Sequence, residues 1–318
     1  MFRKIALEEH FMTPGFEGYS EAFTSLMSDD QLKQLSEKLG DFDGKRIEVM
    51  DAAGIDIMIL SQTGPGIQAE QDEDLAIAKA RRSNDFLGEQ IERNRSRYAG
   101  FAALAMHRPQ AAVDELLRCV NELGFKGALI NGHTLGRYYD DPAYDVVWKT
   151  VQDLDVPVYL HPTDPYGANP AYEGHRELAG AIWGWGVETG THALRLLFGG
   201  VFDRFPDLKV VLGHMGEGLP FQRWRFDSRF AVYPNGVHLE RKPSDYIGTN
   251  ILITTSGVCS APVLAAAVAE MGEDAVMFSV DYPYESVTLA NAFIEAAPLP
   301  DAVKEKICKG NAQRLFRL

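Results

Sequence analysis

With 318 residues, 46% of them hydrophobic, the chain is long enough to bury a large core without a disulfide framework. Its formal net charge of −14 argues against nucleic acid and anionic lipid as partners, because phosphate recognition needs a basic footprint. Cys119, Cys259 and Cys308 form no CxxC pair, the N-terminus shows no secretory h-region, and no run of about 18 apolar residues could span a membrane, so the expected location is a reducing cytoplasm.

Apolar, strand-like runs recur along the chain at Lys4–Leu7, Ile55–Leu60, Tyr98–Leu104, Lys126–Asn131, Val156–Leu160, Leu208–Leu212, Ile251–Thr255 and Ala275–Val280. Helical spacing follows at Asp74–Ile91, Pro109–Leu123, Pro142–Leu154, Leu194–Phe205 and Ala261–Met271, and a closing amphipathic helix is expected over Asp301–Leu318. Runs such as IDIMIL and VPVYL are apolar throughout, as strands covered on both faces are. Parallel neighbours need a helical crossover, so repeated β-then-α units predict an α/β fold of the (β/α)8 TIM-barrel kind. A doubly wound sheet is the alternative, but no GxGxxG follows the first strand. One domain is expected over 1–318, with lid-like excursions around 13–43 and 165–177 at the catalytic mouth.

The chemistry is expected where those strands end. Glu8 and His10 follow the first run two residues apart, so they share a face while Glu9 looks away. His161 ends the VPVYLH run, His214 follows VVLG with Glu217 three residues on, and Asp281 follows FSV. Functional groups of barrel enzymes stand at these C-terminal strand ends. Glu8, His10, His161 and Asp281 offer two carboxylates and two imidazoles, a donor set suited to one Zn²⁺ or Mn²⁺ with positions left open for substrate. Each residue also has a plainer reading: His161 as a hydrogen-bonded loop group, Asp281 as an Asx turn or helix cap, Glu8 and His10 as polar groups on an edge. Their joint occurrence at several strand ends favours the metal. His107, His175, His192 and His238 read as packing or surface groups, and His133, again just past a strand, as a loop group with a possible second role. Trp183 and Trp185 suit an aromatic wall or a core, and Arg225 suits an anion site or a pair with Glu217 or Asp227.

The strings ALEEH, GFKGALINGHT, YYDDPAYD, VPVYLHP, VFDRFPDLKVVLGHMGEGLPF, ITTSG, FSVDYPYE and GNAQRLF together cover nearly the whole chain. In these the chain resembles the amidohydrolase superfamily, specifically its non-oxidative aromatic decarboxylases: the γ-resorcylate, 2,3-dihydroxybenzoate and 5-carboxyvanillate enzymes, relatives of aminocarboxymuconate semialdehyde decarboxylase. The Glu-x-His opening resembles the decarboxylase branch rather than the His-x-His of the hydrolases, and His10 as a ligand follows from the resorcylate enzymes in particular. The resemblance implies loss of CO₂ from an ortho-hydroxybenzoic acid, with no organic cofactor and a homodimeric or homotetrameric assembly. It implies Asp281 as the acid that protonates the ring carbon, with its pKa raised in a dry pocket, and His214, oriented by Glu217, as the relay. Asn131 and Arg225 would hold substrate oxygens, and Phe23 and Tyr284 would enclose the ring. A metal-dependent lactonase or amidohydrolase is the rival activity, and a non-catalytic barrel the rival of a different kind.

Overall fold

All eight residues of KIALEEHF are buried, charged groups included, and they form one strand, β1 (Lys4–Phe11). The computed structural model describes residues 1–17 and 27–318. The remaining strands are β2 (Ile55–Gln62), β3 (Tyr98–Gly100), β4 (Ala102–Ala103), β5 (Ala128–Asn131), β6 (Val158–His161), β7 (Val210–Leu212), β8 (Ile251–Thr254) and β9 (Val276–Met277). Every pairing among them is parallel, in the orders β1-β2-β3 and β4 through β9.

The run expected over Tyr98–Leu104 is one strand in two pieces. Its first half pairs with β2 and its second with β5, and backbone bonds from Phe101 to Leu60 (2.9 Å) and from Lys126 to Gly100 (2.9 Å) carry the ladder across the break. At the other seam Glu9 and Tyr282 form a parallel bridge, and the His10 N–H donates to the Tyr282 carbonyl at 2.7 Å. The strands therefore close on themselves, and the (β/α)8 barrel is confirmed. The first strand runs four residues past its expected end, to Phe11, which places Glu8 and His10 inside the ladder rather than after it.

Helices cover the barrel at Glu73–Arg93, Pro109–Asn121, Asp145–Asp153 and Ala261–Met271, close to their expected bounds. The C-terminal element is continuous over Asp301–Phe316, with a wide turn at Lys306–Gly310 that lets the Ile307 carbonyl accept from the Phe278 N–H. The helix expected at Leu194–Phe205 instead spans Gly184–Phe198, followed by a separate turn at Val201–Arg204. Its glycines lower local helix propensity and hid its beginning. Packing asks for some of them: a Cβ at Gly184 would stand 2.3 Å from the Ala179 carbonyl oxygen and one at Gly186 2.9 Å from Glu217 Oε2, whereas one at Gly190 would make an ordinary contact with the Glu217 carbonyl at 3.5 Å. Of the 13–43 excursion, the helix Asp29–Leu39 lies against β1, where the Met12 N–H donates to the Leu39 carbonyl. The 165–177 segment carries short turns at Pro170–Tyr172 and Arg176–Leu178. Among the described residues no helix is long and apolar enough to cross a membrane.

His192 lies in that helix, fully buried between the rings of Tyr138 and Tyr139, and its Nε2 accepts the Tyr139 N–H at 3.2 Å. This is the packing role expected of it. Burial, helped by the charges of His133 and Arg195, pulls its pKa down to about 3. An imidazole that protonates more easily when unfolded stabilises the fold above about pH 6.5 and loses that contribution as pH falls towards 3. Across that window the parent should lose about 1.4 kcal/mol per pH unit more than His192→Gln. Urea midpoints of the two proteins between pH 7 and 4.5 will show it, and parallel curves would refute it.

Candidate metal centre and active site

Along β1 the side chains alternate, so Glu8 and His10 enter the barrel while Glu9 turns towards the neighbouring strand. A register shift between Ala6 and Glu9 inserts one extra residue into β1 against β2, a bulge of the kind that re-aims a side chain beside a functional site. His161 ends β6, and Asp281 follows the last strand in a left-handed backbone conformation, φ +78°. One ligand atom from each of Glu8, His10, His161 and Asp281 lies within 4.8 Å of the others. His10 Nε2 stands 3.3 Å from Asp281 Oδ1, and His161 Nε2 stands 3.3 Å from Glu8 Oε1.

Burial makes this cluster informative. Glu8 Oε1, His10 Nε2 and Asp281 Oδ1 are each buried with no hydrogen-bond partner. Orphaned polar atoms are costly in a folded chain, and three converging on one point call for a cation. The second atoms of the same groups are committed elsewhere. The Tyr159 hydroxyl donates to Glu8 Oε2 at 2.5 Å and lies 2.8 Å from Thr254 Oγ1. His161 Nδ1 faces the Pro162 carbonyl at 3.0 Å, and His10 Nδ1 faces Ser61 Oγ at 3.2 Å. Donation from His161 Nδ1 leaves its Nε2 lone pair for an ion, the usual device for fixing the tautomer of a ligand. The donors present fit one divalent metal ion.

Tyr159 was not picked out from the sequence, although it stands two residues before His161, the same spacing that joined Glu8 to His10. Tyr159→Phe should weaken Mn²⁺ binding by about 10- to 100-fold, because Glu8 loses the bond that holds its outer oxygen. Chelator competition on the purified variant measures this, and unchanged affinity would overturn it.

His214 faces the cluster from the next strand end. Its Nε2 lies 3.5 Å from Asp281 Oδ2 and 3.9 Å from Glu8 Oε1, while its Nδ1 is bonded to Glu217 Oε1 at 2.8 Å. The pairing expected between His214 and Glu217 is present. From His214 to Gly218 every residue has positive φ, a left-handed turn in which Gly216 and Gly218 relieve the strain and His214, Met215 and Glu217 bear it. Such strain is characteristic of functional sites.

The electrostatics divide these groups. Burial works to depress the His214 pKa, but the carboxylates of Glu8, Glu217 and Asp281 outweigh it, and the imidazole is held well above its ordinary value. Burial likewise acts to raise Asp281, but the close approach of the His10 and His214 imidazoles wins, and its carboxyl is held below the usual range. That corrects the expectation of a raised pKa for Asp281: with two imidazoles within 3.5 Å the pocket is not anion-rich at that atom. Burial, reinforced by Asp281, raises Glu8, and burial with the neighbouring His10 depresses His161.

The expected substrate contacts fare differently. Asn131 ends β5 directly beside His161, its Oδ1 buried and unpaired, and Gly64 and Gly66 pass over it so closely that a Cβ on Gly66 would stand 2.5 Å from its Nδ2. The Tyr284 ring meets the His10 ring edge-on at 5.7 Å, and its hydroxyl bonds Thr63 Oγ1 at 2.5 Å. Arg225 lies exposed on the helix Arg223–Phe230. It pairs with neither expected carboxylate, because Glu217 is taken by His214 and Asp227 binds the N–H and hydroxyl of Ser244. Phe23 lies outside the described residues. Trp185 donates to Asp164 and Trp183 is largely exposed, so neither lies in the core. His133 bonds the Asp164 carbonyl and the Gly136 N–H, a loop role.

A parallel barrel that gathers two carboxylates and two imidazoles at its strand ends, with an imidazole–carboxylate pair opposite, defines a metal-dependent enzyme of the α/β-barrel class. The chain belongs to the amidohydrolase family, whose model matches residues 10–318. It is 44% identical over 328 residues, 99% of this chain and 98% of the relative, to the γ-resorcylate decarboxylase of Polaromonas sp.. Among solved structures, it is similar to the dihydroxybenzoic acid decarboxylase of Polaromonas sp. with bound manganese and the inhibitor 2-nitroresorcinol, at 44% identity and a TM-score of 0.93 over 100% of this chain and 98% of that one. It is also similar to the 5-carboxyvanillate decarboxylase of Novosphingobium aromaticivorans complexed with manganese and 4-hydroxy-3-methoxy-5-nitrobenzoic acid, at 34% identity and a TM-score of 0.94 over 100% and 96% of the two chains.

Proposed function

We propose that this chain is a metal-dependent carboxy-lyase that removes CO₂, without oxidation, from an ortho-hydroxybenzoic acid of the dihydroxybenzoate, salicylate or 5-carboxyvanillate type. The observation that carries the reading is the double engagement of Asp281, whose Oδ1 belongs to the donor cluster while its Oδ2 faces His214.

Glu8, His10, His161 and Asp281 would hold a divalent ion, Mn²⁺ or Zn²⁺, which would supply Lewis acidity towards the oxygens of an ortho-hydroxybenzoate. Direct loss of CO₂ would leave an aryl carbanion, so the ring is protonated first. Asp281 delivers a proton to the carbon that bears the carboxylate, the ring becomes a dienone, and the C–C bond then breaks with its electron pair returning to the ring. His214, whose Nε2 faces Asp281 Oδ2 at 3.5 Å, relays a proton taken from solvent back to Asp281 after each turnover. Glu217 fixes the orientation of His214. Asn131, with an unfilled buried acceptor, takes a substrate hydroxyl, and Tyr284 walls the ring beside His10. Arg225 and Phe23 complete the substrate contacts in this reading.

Residues 1–318 act as one barrel domain with a lid around 13–43. Free, unpaired Cys119, Cys259 and Cys308 suit the cytoplasm. The exposed apolar residues Ile182, Trp183, Phe221 and Trp224 suit a homodimer or homotetramer. The test is a screen of salicylate, 2,3- and 2,6-dihydroxybenzoate and 5-carboxyvanillate with Mn²⁺ and Zn²⁺ each supplied, reading CO₂ release alongside the hydrolysis of lactones and amides. Hydrolysis without CO₂ release would replace this reading by that of a hydrolase.

A further inference from the structure

Glu9 stands between two metal donors yet faces away from them, and the reaction makes no use of it. It is fully buried. Its Oε1 accepts the Val280 N–H at 2.9 Å and the Ser279 hydroxyl at 3.1 Å, and its Oε2 accepts the Tyr282 N–H at 3.2 Å. The carboxylate therefore grips the peptide groups on both sides of Asp281, the residue whose own backbone is left-handed.

The location gives this grip its importance. Regular pairing of the last strand stops at Met277, and β1 meets the following segment through one bridge and one backbone bond. The Glu9 side chain replaces the missing rungs at the seam where Asp281 must meet His10. Ser279 ties the arrangement back to β1 by accepting the Glu8 N–H at 2.6 Å. Behind it lies the buried guanidinium of Arg46, which donates to the His10 carbonyl at 2.7 Å and stacks 4.8 Å over the Tyr282 ring.

We propose that Glu9 is a positioning residue: by holding the N–H groups that flank Asp281 across the barrel seam, it places the Asp281 carboxylate between the metal donors and His214. The proposal rests on the metal-centre reading given above. Glu9→Gln tests it, because the amide keeps the shape and one acceptor but sets a donor against one of the two flanking N–H groups. Mn²⁺ affinity should fall by about tenfold, and kcat should fall by a similar factor with KM nearly unchanged. The decisive measurement is a double-mutant cycle on Mn²⁺ affinity. In an Asp281→Asn background Glu9→Gln should weaken binding by less than about twofold, since its route to the ion is gone. An equal loss in both backgrounds would overturn the proposal and leave Glu9 a staple of the fold. If Glu9→Gln does not fold, Ser279→Ala, which strips one donor from the grip, takes its place in the cycle and must couple to Asp281→Asn in the same sense. A parent chain that binds Mn²⁺ but decarboxylates nothing would sink the functional reading while leaving this cycle interpretable.

Discussion

Asp281→Asn should lower kcat by at least about 10³-fold while the protein still binds metal, though more weakly. The amide keeps an oxygen at the Oδ1 position and can still face His10 Nε2, 3.3 Å away in the parent. It carries no transferable proton and cannot take one from His214, which lies 3.5 Å from Oδ2. General acid catalysis typically contributes about 10²–10⁴-fold, and Glu217 cannot stand in for Asp281 because it is engaged at the far side of the imidazole. Metal content by elemental analysis and single-turnover CO₂ release separate the two effects. Turnover near the parent rate would remove Asp281 from the proton-donor role.

Gly213→Ala should abolish metal binding through one methyl group. Gly213 has φ −72°, a backbone that alanine accepts freely, so the effect is purely steric. Its Cβ would fall 2.4 Å from Glu8 Oε2 and 3.0 Å from Glu8 Oε1. The Glu8 carboxylate cannot retreat, since Tyr159 holds Oε2 and the side chain is fully buried. Either Glu8 leaves the cluster or the turn carrying His214 moves. Both outcomes should reduce Mn²⁺ affinity by more than about 100-fold, the upper range for disturbing a ligand's support. A far-ultraviolet spectrum like that of the parent, with metal lost, is the expected signature, and full metal occupancy would count against the argument.

Much of this was legible in the sequence, and for a physical reason. Strands covered on both faces write themselves as apolar runs, and the ends of those runs are where β1, β6 and the segment after β9 deliver Glu8, His10, His161 and Asp281. The His214–Glu217 pair was legible because three residues of tight turn bring them together. What escaped was the support behind them. Glu9 and Arg46 act through backbone groups of distant segments, and nothing local marks which N–H or carbonyl a buried charge will meet. The helix Gly184–Phe198 was misplaced because glycine reads as a breaker unless one knows that Glu217 lies against it. That Arg225 pairs with neither Glu217 nor Asp227 was hidden for the same reason, since helical spacing does not show that His214 and Ser244 already hold those carboxylates.

The division of labour between the two oxygens of Glu8 sets a limit on what the ion can be. With Oε2 held by Tyr159 and Asp281 Oδ2 turned to His214, each carboxylate can offer one atom, and denticity across the cluster is four. An ion that prefers tetrahedral surroundings would be nearly saturated by these four donors, whereas one that prefers about six would keep room for substrate. Metal preference would thus depend in part on a tyrosine that keeps one carboxylate oxygen away from the cluster.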